Sequence, residues 1–106
     1  MLLALAARNA VADSLGSEGR SLALKWPNDV FVLDYKICGI LAEADPRGEG
    51  VVIGIGLNVN LTDGDFSGIT LDQPATSMTL ERGDVFDIAD VCARVTACLQ
   101  GQVDRL

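Results

Sequence analysis

The fold is decided by the stretch VVIGIGLNVN at residues 51–60, the most β-like segment of the chain. Side chains alternate between the two faces of a strand, so these residues divide into two sets. One set is apolar, and we expect the fold to bury it: Val51, Ile53, Ile55, Leu57 and Val59. The other set is mostly small or polar: Val52, Gly54, Gly56, Asn58 and Asn60. We therefore predict a strand over 51–59 with one buried face and one bare face.

The bare face has two interpretations. Gly54 and Gly56 could form a flat floor for a ligand, with the amide of Asn58 at its edge. Equally, the glycines could let a helix pack closely on the sheet. A dinucleotide-binding fingerprint is excluded, because the glycines lie within a strand and Val59 stands where the third glycine would be.

Upstream of this strand, the pattern predicts one helix and three more strands. Residues 1–15 are rich in Leu and Ala, which are strong helix formers, and Gly16 to Gly19 end that helix. Apolar runs predict strands over 21–25, 30–33 and 36–44. They are separated by Pro27 and by Asp34-Tyr35, and a turn at 45–48 follows the last of them. Connections this short favour antiparallel pairing.

Downstream, residues 63–74 are rich in Gly and Asp and predict a loop, while 75–82 are ambiguous, with Thr76-Ser77 able to open a helical turn. Asp84 with Asp87 resembles a capping box and predicts a final helix that runs to about Gln102. We expect its apolar face to consist of Val85, Ile88, Cys92, Val95 and Leu99. The fold class is α/β (α+β), with helices packed on a mixed, largely antiparallel sheet.

The composition narrows the function. A chain of 106 residues forms one domain or part of one. Its net charge of −7 repels nucleic-acid backbones and anionic membrane surfaces, so we expect neither nucleic acid nor a membrane as partner. The absence of histidine excludes imidazole metal ligands and triads with a histidine base. Three cysteines without a CxxC pair indicate a reduced intracellular protein. No apolar run approaches the roughly 20 residues of a membrane span, so we expect a soluble, cytoplasmic protein.

Two further segments carry polar groups that a core does not require. Residues 25–29, KWPND, place an Asn-Asp pair at a strand end, which is either turn chemistry or a binding site. Lys36 opens an apolar strand, either as an edge gatekeeper or as a cation that meets developing negative charge in a pocket. Gly39 weakens the same strand, which is easiest to explain if a ligand or another backbone comes close.

The order of three motifs resembles the signature of biotin protein ligases. KWPND at 25–29, KICGILAE at 36–43 and GIGLNVN at 54–60 follow one another as in that family, and the match is dense over residues 21–60. The resemblance implies an enzyme that joins biotin and ATP into biotinyl-5′-AMP and releases pyrophosphate. It then transfers the biotinyl group to a lysine of the carrier domain of a biotin-dependent carboxylase.

The resemblance also implies roles for single residues. Lys36 corresponds to the catalytic lysine between the biotin carboxylate and the α-phosphate. Asn28 and Asp29 correspond to the pair that holds the nucleotide and, through Mg²⁺, its phosphates. The remaining residues are expected to bind biotin or the adenylate: Lys25, Trp26, Gly39, Ile40, Gly54, Gly56 and Asn58. Gly39 and Ile40 would line the biotin pocket, the later glycines would form its floor, and Asn58 would bond the adenylate.

The chain also departs from the family pattern. The Gly-Arg-rich loop that the family carries upstream, and its small C-terminal β-barrel, have no counterpart in the sequence. We therefore expect residues 1–106 to be a partial catalytic domain with an exposed sheet edge, which favours homo-oligomers. The sequence shows no DNA-binding helix-turn-helix, so it does not support a repressor role. Cys38 stands where Ala or Gly is common in the family. A truncated, non-catalytic binding module and a lipoate ligase remain as alternatives, although the KWPND segment favours biotin over lipoate.

Overall fold

The computed structural model describes residues 2–16, 22–26, 28–69 and 72–104. In chain order its elements are α1 Leu2–Leu15, β1 Leu22–Lys25, β2 Asp29–Val32, β3 Tyr35–Ala44, β4 Val51–Leu57, α2 Asp63–Ser67, α3 Met78–Arg82 and α4 Ile88–Asp104. The strands form one sheet in the order β1-β2-β3-β4, and every neighbouring pair is antiparallel. A single parallel bridge joins Lys36 to Ala75. The α+β class and the largely antiparallel sheet are therefore confirmed.

The strand boundaries lie close to the predicted ones. β2 ends at Val32 rather than Leu33, because Leu33 adopts a left-handed conformation with φ 53° and forms the turn with Asp34. Tyr35, expected in that turn, begins β3 instead. Ser21, the helix-breaking residues 17–19 and Pro27 fall outside the described residues.

The core lies between one face of the sheet and the helix α1. Three alanines of α1, Ala4, Ala7 and Ala10, are almost completely buried and let the helix approach the strands. They pack with Val30 of β2 and Ile37 of β3, which are also fully buried. α4 lies against α1 and adds Val91 and Val95 to the same core.

The apolar face of β4 is not buried as predicted. Val51 is 62% exposed and Ile53 is 36% exposed, while Ile55, Leu57 and Val59 are only partly buried. The predicted alternation is correct, since Gly56 pairs with Gly39 while Ile55 pairs with the buried Ile40. The prediction of burial was wrong because α4 does not close over β4. The two elements leave an apolar groove of about 400 Å³, lined by Ile53, Ile55, Leu57, Val59, Ile88, Val91, Cys92, Val95, Thr96 and Leu99.

The segment after β4 is more helical than its composition indicated. Residues 63–74, predicted as a loop, contain the short helix α2. The Asp65 carboxylate accepts hydrogen bonds from the Thr62 backbone N–H at 2.8 Å and from the Thr62 hydroxyl at 3.0 Å. This capping box between Thr62 and Asp65 starts a helix even in a stretch rich in Gly and Asp. Ser77 accepts from the Leu80 N–H at 3.2 Å and caps α3, which confirms the helical turn at Thr76-Ser77.

The last helix begins later than predicted. The Asp87 carboxylate accepts from the N–H groups of Ala89 at 2.9 Å and Asp90 at 3.3 Å, so Asp87, not Asp84, is the N-cap. Val85 therefore precedes the helix and is 85% exposed. Of the predicted apolar face, Val95 is buried and Leu99 is partly buried, while Ile88 and Cys92 stay exposed beside the groove. None of the described helices combines the length and apolarity needed to cross a membrane.

Candidate active site

The side chain of Lys36 lies on the face of the sheet opposite α1, beside Asp29. Its Nζ is 3.4 Å from Asp29 Oδ1, and the two side chains are 33% and 27% exposed. Gly39 makes room for this pair, because a Cβ at position 39 would lie 3.2 Å from the Lys36 Nζ. β3 is an inner strand between β2 and β4, so the structure contradicts the interpretation of Lys36 as an edge gatekeeper. The cation instead faces an open surface.

The backbone around Lys36 is held from a second direction. The β2–β3 pairing shifts register between Val30 and Phe31, so Val30 faces Cys38 while Phe31 faces Lys36. Beyond this irregularity, the Lys36 N–H donates to the Pro74 carbonyl at 2.9 Å and the Lys36 carbonyl accepts from the Thr76 N–H at 2.9 Å. Residues 74–76 thus extend the sheet alongside Lys36.

Gly54 and Gly56 form a floor on the same face as Lys36. A Cβ on Gly56 would meet only the Gly39 carbonyl oxygen, at 4.0 Å, and one on Gly54 only the Leu41 carbonyl oxygen, at 3.8 Å. Both are ordinary contact distances, and within the described residues no helix packs against either glycine. Close helix–sheet packing therefore does not explain them, whereas a ligand floor remains in agreement with the structure.

A cleft of about 460 Å³ opens over this floor, a size that suits a small-molecule ligand. From the sheet side it is lined by Lys36, Cys38, Gly39, Gly56 and Asn58, and from the following segment by Leu61, Phe66, Ile69, Asp72, Gln73 and Ala75. The sequence pattern did not predict this second wall. Its only signal was the presence of apolar residues such as Phe66 and Ile69 within a stretch otherwise typical of a loop.

Four of the predicted binding residues do not line the cleft but lie beside it, towards β2: Lys25, Trp26, Asn28 and Asp29. Asp29 reaches it through its pairing with Lys36, and Asn28 binds the Ile40 N–H through its own carbonyl at 3.0 Å. Lys25 pairs with Asp29 across β1 and β2, and its Nζ lies 4.1 Å from the centre of the Phe31 ring. Trp26 is 83% exposed at the strand end.

Ile40 and Gly54 are also placed outside the lining. Ile40 is only 8% exposed and belongs to the core on the opposite face of the sheet. Gly54 continues the bare strip beyond Gly56, opposite Leu41. The predicted residues that the structure gathers directly at the cleft are therefore Lys36, Gly39, Gly56 and Asn58.

Asn58 connects the cleft to its second wall. Its Nδ2 donates to the Thr76 carbonyl at 3.0 Å, and its backbone N–H donates to the Ile37 carbonyl at 3.0 Å. Asn60, predicted on the same face, binds the backbone of Phe86 in both directions, at 2.8 and 2.9 Å. Both asparagines therefore tie β4 and its continuation to the segments that follow.

The electrostatics of the cleft do not favour thiol chemistry at Cys38. Burial, with a smaller contribution from the Asp29 carboxylate, raises the pKa of the Cys38 thiol to about 11. The thiol is therefore neutral at physiological pH and is a poor nucleophile. The described residues contain no group of three or more His, Cys, Asp or Glu side chains arranged for a metal ion. Asp29 is the carboxylate that stands next to the Lys36 cation.

Comparison with known proteins gives consistent results at three levels. The sequence model of the biotin/lipoate A/B protein ligase family matches residues 1–60. The bifunctional ligase/repressor BirA of Bacillus spizizenii is 35% identical over 102 residues, which cover 93% of this chain and 31% of the relative. The biotin–[acetyl-CoA-carboxylase] ligase of Paracoccus denitrificans is 36% identical over 107 residues, covering 95% of this chain and 44% of the relative.

Solved structures agree with these relatives. The biotin protein ligase of Leishmania major in complex with biotinyl-5-AMP superposes with a TM-score of 0.76 at 26% identity, covering 92% of this chain and 43% of that protein. The biotin protein ligase of Aquifex aeolicus in complex with biotin and ATP gives a TM-score of 0.70 at 25% identity, covering 99% and 44%. The chain thus spans less than half the length of each of these proteins.

Proposed function

This chain belongs to the biotin/lipoate A/B protein ligase family, and we propose that it takes part in the ATP-dependent formation of biotinyl-5′-AMP. In that reaction a carboxylate oxygen of biotin forms a bond to the α-phosphorus of ATP, and the bond to the departing pyrophosphate breaks. The biotinyl group then passes to a lysine of a carboxylase carrier domain, and AMP leaves. Support comes from the family match, the biotin and ATP complexes of the solved relatives and the cleft itself.

The observation that carries the proposal is the position of Lys36 at the edge of a bare glycine floor. Its ammonium group stands over Gly39, next to the strip that Gly56 and Gly54 continue. A flat ligand on this floor would bring its reacting carboxylate and phosphate beside a fixed cation. Negative charge increases on the phosphate oxygens during the attack, and a preorganised cation stabilises that charge.

Asn28 and Asp29 are proposed to bind the nucleotide end of the ligand. Mg²⁺ is commonly held by one or two carboxylates, with phosphates and waters as the other ligands, so a single partly exposed Asp29 fits such an ion. When bound, the ion would supply positive charge to the phosphates. Lys25 and Trp26 would extend the site along β1, while Ile40, on the core face, would support the floor from below.

The setting of the reaction is part of the same proposal. Free thiols at Cys38, Cys92 and Cys98 agree with a reduced compartment, which we take to be the cytoplasm. Among the described residues, the outer edges of β1 and β4 have no strand partner. Such edges are where copies of the chain would associate.

The test is biotin-dependent release of pyrophosphate by the purified chain with ATP and Mg²⁺. We expect release that stops when biotin is omitted and that lipoate does not inhibit. Lys36→Ala should abolish release without changing the thermal unfolding midpoint. Arg47→Ala is the matched control, because it removes the same charge from the exposed turn after β3, away from the cleft.

Each other outcome favours a different function. Biotin binding by calorimetry without pyrophosphate release would indicate a binding module, a second candidate that the cleft over the glycine floor also fits. Inhibition by lipoate and lipoate-dependent release would indicate a lipoate ligase. Unchanged release by Lys36→Ala would remove Lys36 from the mechanism.

A further inference from the structure

Thr76 and Ser77 are the buried polar residues of the described chain, with 4% and 0% exposure. Buried polar groups are stable only when they are hydrogen-bonded, so their partners show what they do. The Ser77 hydroxyl donates to the Leu61 carbonyl at 2.5 Å and caps α3. The helix cap is therefore accounted for by Ser77, and Thr76 requires a separate explanation.

Every polar group of Thr76 is engaged, and each bond leads in a different direction. Its backbone N–H donates to the Lys36 carbonyl at 2.9 Å. Its carbonyl accepts from Asn58 Nδ2 at 3.0 Å. Its hydroxyl donates to Glu81 Oε2 at 2.6 Å, a short bond to a carboxylate. Thr76 thus joins the backbone of Lys36 to Asn58, directly after β4, and to α3.

The bond to Glu81 gives this junction a fixed support. Glu81 lies in α3, and its neighbour Arg82 donates from Nη1 to the Leu15 carbonyl at the end of α1, at 2.8 Å. The main chain at 74–76 is therefore held by a helix that is itself anchored to the core. The Lys36 backbone makes two hydrogen bonds with this segment: its N–H donates to the Pro74 carbonyl, and its carbonyl accepts from the Thr76 N–H.

We propose that Thr76 is a positioning residue for Lys36, which acts through the main chain and not by contact with substrate. The proposal rests on the proposed function, since it assigns the part of the fold that sets the catalytic lysine. Thr76 does not line the cleft, and its near-complete burial keeps it from the ligand. Its hydroxyl determines where residues 74–76 lie, and these residues determine where the Lys36 backbone lies.

The first test is Thr76→Val, which keeps the shape of the side chain and removes the hydroxyl. We expect kcat for biotin-dependent pyrophosphate release to fall about tenfold, since a misplacement of about 1 Å can cost about a hundredfold. KM for biotin and for ATP should stay within about twofold, because the ligand contacts are intact. Thr76→Ser restores the hydroxyl and should restore kcat.

Thr79→Val is the matched control. It removes the same group from α3, where the Thr79 hydroxyl binds the Asp84 carbonyl and has no link to Lys36. It should leave kcat unchanged. Glu81→Ala removes the acceptor from an exposed position and decides the matter if Thr76→Val does not fold. The double variant of Thr76→Val and Glu81→Ala should lose no more kcat than either single variant, as expected for two partners in one hydrogen bond.

A second measurement does not depend on turnover. Amide hydrogen exchange of Lys36 should accelerate about tenfold or more in Thr76→Val and Glu81→Ala, and not in Thr79→Val or Thr76→Ser. If the unmodified chain releases no pyrophosphate, the proposed function fails, and exchange at Lys36 alone decides the positioning role. Unchanged exchange at Lys36, an unchanged kcat in an active chain, or equal losses in Thr76→Val and Thr79→Val would each overturn the proposal.

Discussion

Gly39 and Gly56 face each other across the β3–β4 pairing, yet only one of them is explained by the chain itself. A Cβ at Gly39 would crowd the Lys36 Nζ at 3.2 Å and Asp29 Oδ1 at 3.4 Å. A Cβ at Gly56 would meet nothing nearer than a carbonyl oxygen at 4.0 Å. Position 39 therefore needs a glycine, because a side chain there would crowd Lys36. The β4 side keeps a bare surface that no described atom uses, which is what a ligand floor requires.

The largest effect should come from filling the unused surface. In Gly56→Val the new side chain enters the cleft, so affinity for biotinyl-5′-AMP should fall about tenfold to a hundredfold, since overfilling a packed site costs about 1–3 kcal/mol. The free energy of unfolding should not fall, because valine favours strands and has room here. Calorimetric titration and urea unfolding measure the two quantities.

Gly50→Val is the control for this prediction. It adds the same side chain just before β4, where nothing lies within 4 Å of a new Cβ, and position 50 lies outside the cleft and its glycine floor. Its affinity should stay near that of the unmodified chain. Equal affinities for all three proteins, or unfolding caused by Gly56→Val, would show that the glycine serves the fold and not a ligand.

The next effect concerns the layer beneath the floor, where Cys38 touches both the cleft and the core. Burial raises the pKa of its thiol from 9.0 to about 11, so the folded state favours the neutral thiol. This preference contributes fully to the free energy of unfolding below pH 9, where the thiol is neutral in both the folded and the unfolded state. The contribution is lost as pH rises from 9 to 11. At pH 10 the loss should be about 1.4 kcal/mol.

Unfolding free energies measured between pH 8 and pH 11 test this prediction. Cys38→Ala should lack this part of the pH dependence, whereas Cys92→Ala removes an exposed thiol and should keep it. Parallel pH curves for the original chain and Cys38→Ala would mean that water reaches the thiol. The floor and the core would then not be separated as described.

The smallest effect is expected on the crowded side of the pairing. Gly39→Ala should shift the Lys36 ammonium group by a few tenths of an ångström and lower the rate of pyrophosphate release about threefold to tenfold. Stability should change by less than about 1 kcal/mol, since the crowded atoms end a flexible side chain. Gly50→Ala, measured in parallel by single-turnover kinetics and thermal unfolding, should match the unmodified chain, because position 50 is open and lies away from the cleft. A Gly39→Ala rate equal to that of Gly50→Ala would show that a Cβ at position 39 does not crowd Lys36.

Local pattern was enough to predict the strands and their faces. Alternation along 51–60 placed Gly56 and Ile55 on opposite faces, and the β3–β4 register confirms it. The same pattern could not predict burial. Exposure of Val51 and Ile53 depends on how far α4 reaches over the edge strand, which is a matter of tertiary packing. The start of the last helix was predicted wrongly for a related reason. Asp84 and Asp87 are equivalent as N-caps until the chain around them is placed.

The candidate site was predictable where its residues lie on adjacent strands. Lys36, Gly39, Gly56 and Asn58 meet at one cleft because antiparallel neighbours bring them together. The roles of Phe66 and Thr76 could not be predicted, since each reaches the site through a segment that folds back across the sheet. In the sequence, Thr76 is recognisable only as a residue near a helical turn. Its three hydrogen bonds depend on the tertiary structure, so the sequence does not reveal them.

The most direct test of the central claim is a titration of the chain with biotinyl-5′-AMP, followed by backbone amide NMR. If Lys36 and the glycine floor bind the ligand, the largest shifts will occur at Lys36, Gly39, Gly56 and Asn58. The amides of Val91, Val95 and Leu99, beside the apolar groove, will stay unchanged. Shifts concentrated in that groove, or no shifts at saturating ligand, would contradict the account.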